Sequence, residues 1–538
     1  MLSYSMVCAF LAVTSSALSL PQVLPSGYAP VTATCPTTPL VRPATGLSSS
    51  ESTYLAARET KAAAGLAAWL LKTNASFGTN NLPTVALTSS GGGYRALLSG
   101  AGVIQGFDAR DSNVGTSGVY QGLTYHTGLS GGAWLLSSFA GNNYPTISSL
   151  KNDLWKQAFQ DSLLDPNYLL AAAAYVEVTN DILAKQAAGF PPTLTDPWGR
   201  LLSYQLLYGN DGGVAIRLSS VTGFSNFTSY NVPYPIITSL GVKTFQGECL
   251  PGPNATMYEL SPYEFGSWDS GVSAFTPTQY LGTALSNGSP SNGTCIQNYD
   301  NLGYVLGTSS TLFNEACASV PATTTTSNII DDLATIVLAA HALTTRDEYA
   351  VYPNPFYNYA RSSLVSAQME LSLVDGGEAL QNNPIFPLLQ PARGVNVIIV
   401  NDNSADTNNF PNGSEILTTY VQSLNAGLTK MPYIPPVATF ISEGLNTRPT
   451  FFGCNDTSKI TIVYLPNVNY TFPSNEPTAK LEYSQAETEG MVDNGIQIAS
   501  KGGDAMWPTC LACAIVMKSG NTMPNSCGSC FETYCYEQ

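Results

Sequence analysis

Charged side chains are scarce in this chain. They make up 11% of its 538 residues, against roughly 25% in typical globular proteins. The formal net charge is −16, so the clustered Lys and Arg that neutralise a phosphate backbone are missing, which argues against a nucleic-acid partner. The same charge balance argues against electrostatic docking on anionic membranes. Solubility must then come from uncharged polar groups or attached sugars.

Long apolar runs are also missing. After the N-terminus no run reaches the 18 apolar residues of a membrane span, so we predict no transmembrane segment. Residues 534–538 do not form the hydrophobic tail of a GPI signal. Residues 1–19 contain an apolar stretch, 6–13, and a small-x-small site at 17–19, which together predict a secretory signal peptide. They carry no Lys or Arg, and the alternative is a buried N-terminal strand.

Asn-x-Ser/Thr sequons support secretion, because they mark acceptor sites for N-glycosylation in a secreted protein. Eight are present, at Asn74, Asn226, Asn254, Asn287, Asn292, Asn412, Asn455 and Asn469.

The cysteines support the same compartment. Of eleven cysteines, removal of Cys8 with the signal leaves ten, an even number that could form five disulfides. The spacing of Cys510 with Cys513, and of Cys527 with Cys530, also suits a zinc site. In a secreted chain disulfides are the stronger expectation, so we predict no metal and no cofactor.

The pattern along the chain predicts one large catalytic domain at 48–538, preceded by a Pro- and Thr-rich N-terminal arm at 20–47. Ser48 and Glu51 resemble a capping box, which starts a helix that ends near Leu71. Residues of mixed pattern at about 144–330 predict cap-like insertions, and 510–535 form a Cys-rich C-terminal segment. A further helix is predicted at 328–342.

Two glycine-rich turns form the most distinctive part of the sequence. The first, at 89–96, follows the apolar run 85–87, and the second, at 128–134, follows the run 123–127. Each turn precedes a helix-compatible segment. The layout is therefore strand, glycine turn and helix, twice over.

The second turn fits the nucleophile-elbow pattern. In Gly128-Leu129-Ser130-Gly131-Gly132 a serine stands on a sharp turn between strand and helix, and the flanking glycines remove Cβ atoms that would clash. The N–H of Gly131 would then face an oxyanion, and the glycine loop 91–93 would supply a second donor. An ordinary Gly- and Ser-containing turn is the alternative.

A serine nucleophile needs a base, and the chain has only two histidines. His126 lies on the strand that enters the elbow, so its ring would point away from Ser130 or lie beneath it. His341 lies in a predicted helix and precedes Asp375, unlike the histidine of most α/β-hydrolases. Asp375 follows a predicted strand, 369–374, and precedes two glycines. It could serve as the base by direct contact with the serine, or Asp-Gly-Gly could be a simple turn.

Arg95 is unusual in its position. A cation in the first turn of a helix opposes the helix dipole, so we expect an anionic partner such as a substrate phosphate. A surface arginine, or an ion pair with an acidic neighbour, is the alternative.

A second apolar strand is predicted at 395–400, and like the strand at 369–374 it ends in polar residues. Strands separated by helices predict a parallel α/β sheet with its site at the carboxyl edge.

These segments together resemble the secreted fungal phospholipase B/lysophospholipase family, whose catalytic domain is shared with the group IV cytosolic phospholipases. The resemblance rests on 90–96, 128–134 and 374–378 in this order, and extends from about residue 30 to the C-terminus. Further similar segments are 198–200, 261–269 and 510–513. It implies a three-layer α/β fold of the patatin and cytosolic-phospholipase type, with a mostly parallel central sheet, cap insertions and disulfide staples.

The resemblance also implies roles for single residues. Ser130 matches the nucleophile and Asp375 the base of a Ser–Asp dyad, Gly92 and Gly93 match the oxyanion loop, and Arg95 matches the arginine that engages the substrate phosphate.

The implied substrates are lysophospholipids and phospholipids at a micelle or membrane surface, cleaved through an acyl-enzyme that could also transfer its chain to a second lysolipid. Relatives in the family often carry a GPI tail, whereas residues 534–538 do not resemble one, so we predict a free secreted, extracellular or cell-wall-associated form here. The rivals are a secreted esterase with a Ser-His-Asp triad and an inactive lipid-binding or wall protein.

Overall fold

The computed structural model describes residues 27–164, 171–242, 249–316 and 349–537. The predicted signal peptide and the predicted helix that contains His341 lie outside these residues. The described strands are β1 (Val31–Ala33), β2 (Arg42–Pro43), β3 (Val85–Ser89), β4 (Leu123–Gly128), β5 (Tyr234–Val242), β6 (Met257–Leu260), β7 (Glu264–Ser267), β8 (Ala274–Pro277), β9 (Leu285–Ser286), β10 (Ser289–Pro290), β11 (Cys295–Gln297), β12 (Ala350–Pro353), β13 (Glu370–Asp375), β14 (Val397–Asp402), β15 (Thr450–Phe452) and β16 (Thr461–Pro466).

The longer described α-helices are α1 (Ser49–Thr73), α2 (Gly93–Phe107), α3 (Gly131–Gly141), α4 (Ala171–Ala187), α5 (Thr195–Leu206), α6 (Leu302–Thr308), α7 (Ser414–Asn425), α8 (Gln485–Ser500), α9 (Trp507–Val516) and α10 (Cys527–Tyr534). Shorter ones are Ile147–Leu150, Lys156–Ala158, Ser225–Thr228 and Val437–Ser442. Among the described residues, no helix combines the length and the apolar character needed to span a bilayer.

The main sheet is parallel at its centre and antiparallel towards both edges. In the described part of the chain it contains 12 strands, ordered β15-β16-β14-β3-β4-β5-β6-β7-β8-β2, with β13 also beside β5 and β12 beside β13. Neighbours from β16 to β5 run parallel, whereas β15 and the strands from β5 to β2 pair antiparallel. The predicted α/β class is confirmed, and the predicted parallel arrangement holds for the centre of the sheet.

The strand that ends in Asp375 departs from the parallel arrangement expected from its sequence. β13 runs antiparallel to β5, with Asp375 opposite Ser239. β4 runs parallel to β5, with Gly128 opposite Ile237. β6 occupies the other edge of β5, so β4 and β13 lie end to end along one edge. Their carboxyl ends meet there, two positions or about 7 Å apart along β5.

Part of the stretch predicted as cap-like insertions, 144–330, belongs to the main sheet. β5 to β8 lie within it, and all nine residues of β5 are buried, as expected for a strand covered on both faces. The burial of the whole strand, including Thr238 and Ser239, is a sign of its central position. α4, α5, α6 and the short strands β9 to β11 lie outside the main sheet.

α1 begins after Ser48, where its sequence predicts. The side chain of Ser48 accepts a hydrogen bond from the N–H of Glu51 at 3.0 Å. Glu51 does not return the bond to its cap; its carboxylate is buried and pairs with Arg393 at 3.0 Å. The apolar face of α1 is buried at Leu55, Ala62, Leu66, Trp69 and Leu70.

Disulfides occupy the Cys-rich segment, and the expectation of disulfides rather than zinc is confirmed. Residues three apart lie on one helix face, so the two cysteines of α9 face the two of α10. The first cysteine of α9 pairs with the second of α10, and the second of α9 pairs with the first of α10, which requires the two helices to run antiparallel. The described bonds are Cys510–Cys530, Cys513–Cys527, Cys454–Cys535 and Cys35–Cys295. Cys249 is also disulfide-bonded, while Cys317 lies outside the described residues.

None of the eight sequon asparagines is buried, and all lie among the described residues, so their glycosylation remains a prediction. Asn254, Asn287, Asn292, Asn455 and Asn469 are exposed, and Asn74, Asn226 and Asn412 are partly exposed. The amide nitrogen of Asn226 donates to the carbonyl oxygen of Asn143 at 2.8 Å, a bond that a glycan there would disturb.

α2 and α8 cross with their backbones in direct contact. A Cβ atom on Gly102 would overlap the carbonyl oxygen of Val492 and lie 2.6 Å from the Cα of Gly495. Only glycine allows this approach. The crossing fixes α2, the helix that begins at the first glycine-rich turn.

We predict that Gly102→Ala lowers the free energy of unfolding by about 1–3 kcal/mol, because the added methyl overpacks the crossing. Chemical denaturation measures the change. Gly528→Ala is the matched control: this glycine also lies in a helix but has open space around it, so alanine should be neutral or slightly stabilising. Equal effects of the two substitutions would contradict the close packing.

Candidate active site

Ser130 lies on a strained turn between β4 and α3. Its φ of 49° and ψ of −124° are uncommon for a residue with a side chain. The next two positions have no room for one: a Cβ on Gly131 would overlap the carbonyl oxygen of Gly93, and a Cβ on Gly132 would overlap that of Ser89. The predicted strand, sharp turn and helix are all present, as a nucleophile elbow requires.

The N-termini of two helices meet beside Ser130. Gly93 is the first residue of α2 and Gly131 the first of α3, and neither N–H has an acceptor within its own helix. A Cβ on Gly131 would lie 2.7 Å from the nitrogen of Gly93. Both helix dipoles therefore direct positive charge to this point. Gly92, which precedes α2, has a φ of 133°, a conformation that favours glycine.

Asp375 and Ser130 are anchored to the same short segment of chain. The N–H of Asp375 donates to the carbonyl oxygen of Thr311 at 3.0 Å. The N–H of Ser130 donates to the carbonyl oxygen and to the hydroxyl of Ser309, at 3.0 Å each. The Asp375 carboxylate accepts the N–H of Gly377 at 2.7 Å. This segment and β5 thus hold the two predicted catalytic residues together.

A cavity of about 490 Å³ receives four of the predicted site residues, Gly92, Arg95, Ser130 and Asp375. Part of its wall is apolar, and it includes Leu250, Leu312, Leu380 and Pro251. Leu250 and Leu380 are well exposed, so the cavity offers a hydrocarbon chain an apolar surface. A larger cavity of about 690 Å³ contains none of these four residues and only the sequon residue Asn254.

Arg95 is neither a surface arginine nor half of an ion pair. Its buried guanidinium donates to the carbonyl oxygen of Asn403 from Nε and Nη2, at 3.0 and 2.9 Å, and to that of Glu476 from Nη1 at 2.6 Å. Among the described residues, no carboxylate lies within ion-pair distance of it. Burial lowers the pKa of Arg95 to about 10, so it stays charged at neutral pH. A held, unneutralised cation beside the cavity is suited to bind an anion.

His126 is not placed to serve Ser130. It is fully buried in β4, where Nε2 lies 2.9 Å from the hydroxyl of Ser89 and Nδ1 lies 3.5 Å from that of Tyr120. Burial lowers the pKa of His126 to about 3, so its ring is neutral over the physiological range. The expectation that this ring points away from the elbow holds. His341 lies outside the described residues.

Three further residues of the cavity were not predicted from sequence: Asn382, Asp406 and Glu415. Burial, followed by the charge of Asp402, raises the pKa of Asp406 to about 6. Burial raises the pKa of Glu415 to about 8, against the effect of a hydrogen bond from the N–H of Asn382. The run of polar residues after β14 could have indicated Asp406 as a site residue. No local pattern in α7 indicates Glu415.

The sequence profile of the family described as "Lysophospholipase catalytic domain" matches residues 85–538. This chain belongs to the lysophospholipase family. It is 39% identical to "Lysophospholipase 2" of Aspergillus fumigatus, over 95% of this chain and 93% of that protein. It is 40% identical to "Lysophospholipase" of Arthroderma benhamiae, over 95% of this chain and 86% of that protein. The resemblance inferred from the motifs is confirmed.

A solved structure supports the fold of this lysophospholipase family member. Human GIVD cytosolic phospholipase A2 superposes with a TM-score of 0.70, covering 91% of this chain and 72% of that one, at 15% sequence identity. The likeness establishes a common α/β fold. The family membership identifies the protein as a carboxylic-ester hydrolase.

We predict that Glu415→Gln flattens the pH dependence of the enzyme's stability. The native state binds this proton more tightly than the unfolded chain, because its pKa of about 8 exceeds the ordinary 4.5. The associated stability is fully present below about pH 4.5 and is lost as the pH rises towards about 8. Glutamine keeps an oxygen for the N–H of Asn382 but cannot ionise.

Thermal unfolding midpoints between pH 4 and 8 measure this effect. The wild-type midpoint should fall across the range, and that of Glu415→Gln should fall less. Asp406, which also titrates with a raised pKa, keeps part of the slope in both proteins. Identical slopes would contradict the role of Glu415.

Proposed function

We propose that this enzyme hydrolyses the fatty acyl ester of lysophospholipids with Ser130 as nucleophile and Asp375 as base. The reaction converts 2-lysophosphatidylcholine and water into glycerophosphocholine and a fatty acid. The main support is the head-to-head approach of β4 and β13 along β5, since both residues then line one cavity with Arg95. The relatives named lysophospholipases support the substrate class.

In the proposed complex the guanidinium of Arg95 binds the substrate phosphate, and the acyl chain lies against Leu250, Leu312 and Leu380. The Ser130 hydroxyl attacks the ester carbonyl carbon while its proton passes to the Asp375 carboxylate. The carbonyl oxygen becomes an oxyanion and accepts hydrogen bonds at the N-termini of α2 and α3. Donors fixed in a buried site before the reaction stabilise such charge more effectively than water does.

The oxyanion donors in this proposal are the N–H groups of Gly92, Gly93 and Gly131. The N–H of Gly91 is not among them, because it is shared between the side-chain and main-chain oxygens of Asn382, at 3.1 and 3.2 Å.

The tetrahedral intermediate then collapses. The bond between the carbonyl carbon and the glycerol oxygen breaks, and Asp375 returns its proton to the leaving alkoxide. Water next attacks the acyl-enzyme as Asp375 takes a proton from it. The second collapse releases the fatty acid and restores the Ser130 hydroxyl. A second lysolipid in place of water would take the acyl chain, which gives transacylation.

Secretion is part of the proposal. Disulfides persist in oxidising compartments, and this chain has four described pairs, two of which join residues 81 and 260 positions apart. The accessible sequons fit the same compartment. The enzyme would then act outside the cell or in the wall, on micelles or membrane surfaces.

We predict that Ser130→Ala and Asp375→Asn each lower the hydrolysis of lysophosphatidylcholine about a thousandfold or more, because each removes one member of a unit that acts together. Fatty acid release measures activity, and thermal unfolding checks the fold. Ser137→Ala is the matched control, since Ser137 is also buried in α3 but does not line the cavity; it should keep its activity. Either dyad variant with near wild-type activity would refute the dyad.

We predict that Arg95→Lys lowers kcat/KM for lysophosphatidylcholine about tenfold or more, as expected for loss of a charged hydrogen bond of about 1.5–3 kcal/mol. A nitrophenyl acyl ester should be affected far less, because it has no phosphate. Arg448→Lys is the control, an arginine that also donates to a carbonyl oxygen but lies away from the cavity. Equal losses on both substrates would make Arg95 structural.

A further inference from the structure

Asn382 joins the turn after Asp375 to the first glycine loop. Its Oδ1 accepts the N–H of Gly91 at 3.1 Å, and its Nδ2 donates to the carbonyl oxygen of Gly91 at 3.2 Å. The main-chain oxygen of Asn382 accepts the same N–H at 3.2 Å. The side chain thus binds both main-chain polar groups of Gly91, which precedes the proposed oxyanion donors.

The orientation of the Asn382 amide is fixed by its other partners. The hydroxyl of Ser404 donates to Asp402 at 2.5 Å, so towards Asn382 it can only accept, and it takes Nδ2 at 2.9 Å. The main-chain N–H of Asn382 donates to the Glu415 carboxyl at 2.8 Å. With Nδ2 set by Ser404, Oδ1 must face the N–H of Gly91.

The contacts around the amide leave no room for a side chain at either of the two glycines beside it. A Cβ on Gly91 would overlap Oδ1 of Asn382 and lie 3.0 Å from the Cβ of Ser130. A Cβ on Gly377, in the turn after Asp375, would lie 2.7 Å from the same Oδ1. The amide is therefore wedged between the turn of the proposed base and the loop beside the proposed nucleophile.

We propose that Asn382 is the positioning residue of the oxyanion loop, which it holds in register with Ser130 through both polar groups of Gly91. This inference rests on the proposed function, because it concerns the oxyanion formed by attack of Ser130. Glycine loops are conformationally permissive, whereas oxyanion donors must lie about 2.7–3.1 Å from the developing charge. A misplacement of about 1 Å costs on the order of a hundredfold in rate. Asn382 supplies the constraint that the glycines lack.

The test compares Asn382→Ala and Asn382→Asp with the wild-type enzyme on lysophosphatidylcholine. We expect kcat to fall about 10- to 100-fold, with KM within about twofold, because Arg95 and the apolar wall still bind the substrate. Inactivation by an alkyl fluorophosphonate should slow by a similar factor, since its phosphoryl oxygen needs the same donors. Wild-type kcat and inactivation rate in both variants would overturn the proposal.

Asn396→Ala is the matched control. The side chain of Asn396 accepts the main-chain N–H of Thr84 at 2.9 Å, at the opposite end of β3 from Gly91. Removing this bond perturbs the same strand without touching the loop, so kcat should stay at the wild-type value. A fall equal to that of Asn382→Ala would mean that any loosening of β3 suffices, and would overturn the specific role.

The pH profile of Asn382→Asp provides a readout that a merely structural role would not change. An ionised carboxylate cannot donate to the carbonyl oxygen of Gly91, but a protonated one can. The titratable groups around it are Asp375, Glu378, Asp402, Asp406, Glu415 and Arg95. Glu415, with its pKa of about 8, is neutral in this range, but the remaining carboxyl groups outnumber the single cation and hold the introduced pKa above the usual value of about 4.

The ratio of variant to wild-type kcat should therefore rise as the pH falls from about 7 towards about 4. A ratio that does not change with pH would overturn the donor role. The two proposals fail separately. If the wild-type enzyme released no fatty acid from lysophosphatidylcholine, the substrate would be wrong, yet the rate of fluorophosphonate labelling at Ser130 would still test Asn382.

Discussion

The arrangement on which this molecule depends is the meeting of two strands along one edge of β5. β4 arrives parallel to β5 and β13 arrives antiparallel, so their carboxyl ends point at each other. This geometry brings Ser130 and Asp375 together, because each lies at or just beyond the carboxyl end of its strand. The Ser–Asp pair proposed here needs such direct approach, because its mechanism uses no imidazole to bridge a longer gap.

Much of the site could be predicted from sequence because its determinants are local. A strand, a glycine turn and a helix in succession specify the elbow, and the glycines beside Ser130 are needed for backbone contacts that any side chain would block. The exclusion of His126 as the base also rests on local sequence, because its position in a strand ahead of the turn directs its ring into the core. The capped helix α1 also follows from short-range pattern.

Other features depend on segments far apart in the chain and could not be read from it. An apolar strand pattern does not encode strand direction, so the antiparallel course of β13 came only with the structure. The partners of Arg95 are carbonyl oxygens of Asn403 and Glu476, and a carbonyl has no sequence signal. Glu415 owes its raised pKa to burial, which results from the packing of α7 against other elements. Asn382 could not be predicted because its contacts with the glycine loop are made to the main chain of Gly91, which has no sequence signal.

The backbone contact between α2 and α8 has a consequence for how the protein is made. α8 is synthesised after Ser130, Asp375 and Arg95, yet it packs on the helix whose first turn carries the loop beside Ser130. Domains form their long-range contacts only once the participating segments have left the ribosome. A nascent chain that already contains every proposed reacting group therefore still lacks the support for its proposed oxyanion loop. Translation of α8 would set the moment at which a lipid-cleaving enzyme becomes competent, and the membranes that surround its synthesis would be spared until then.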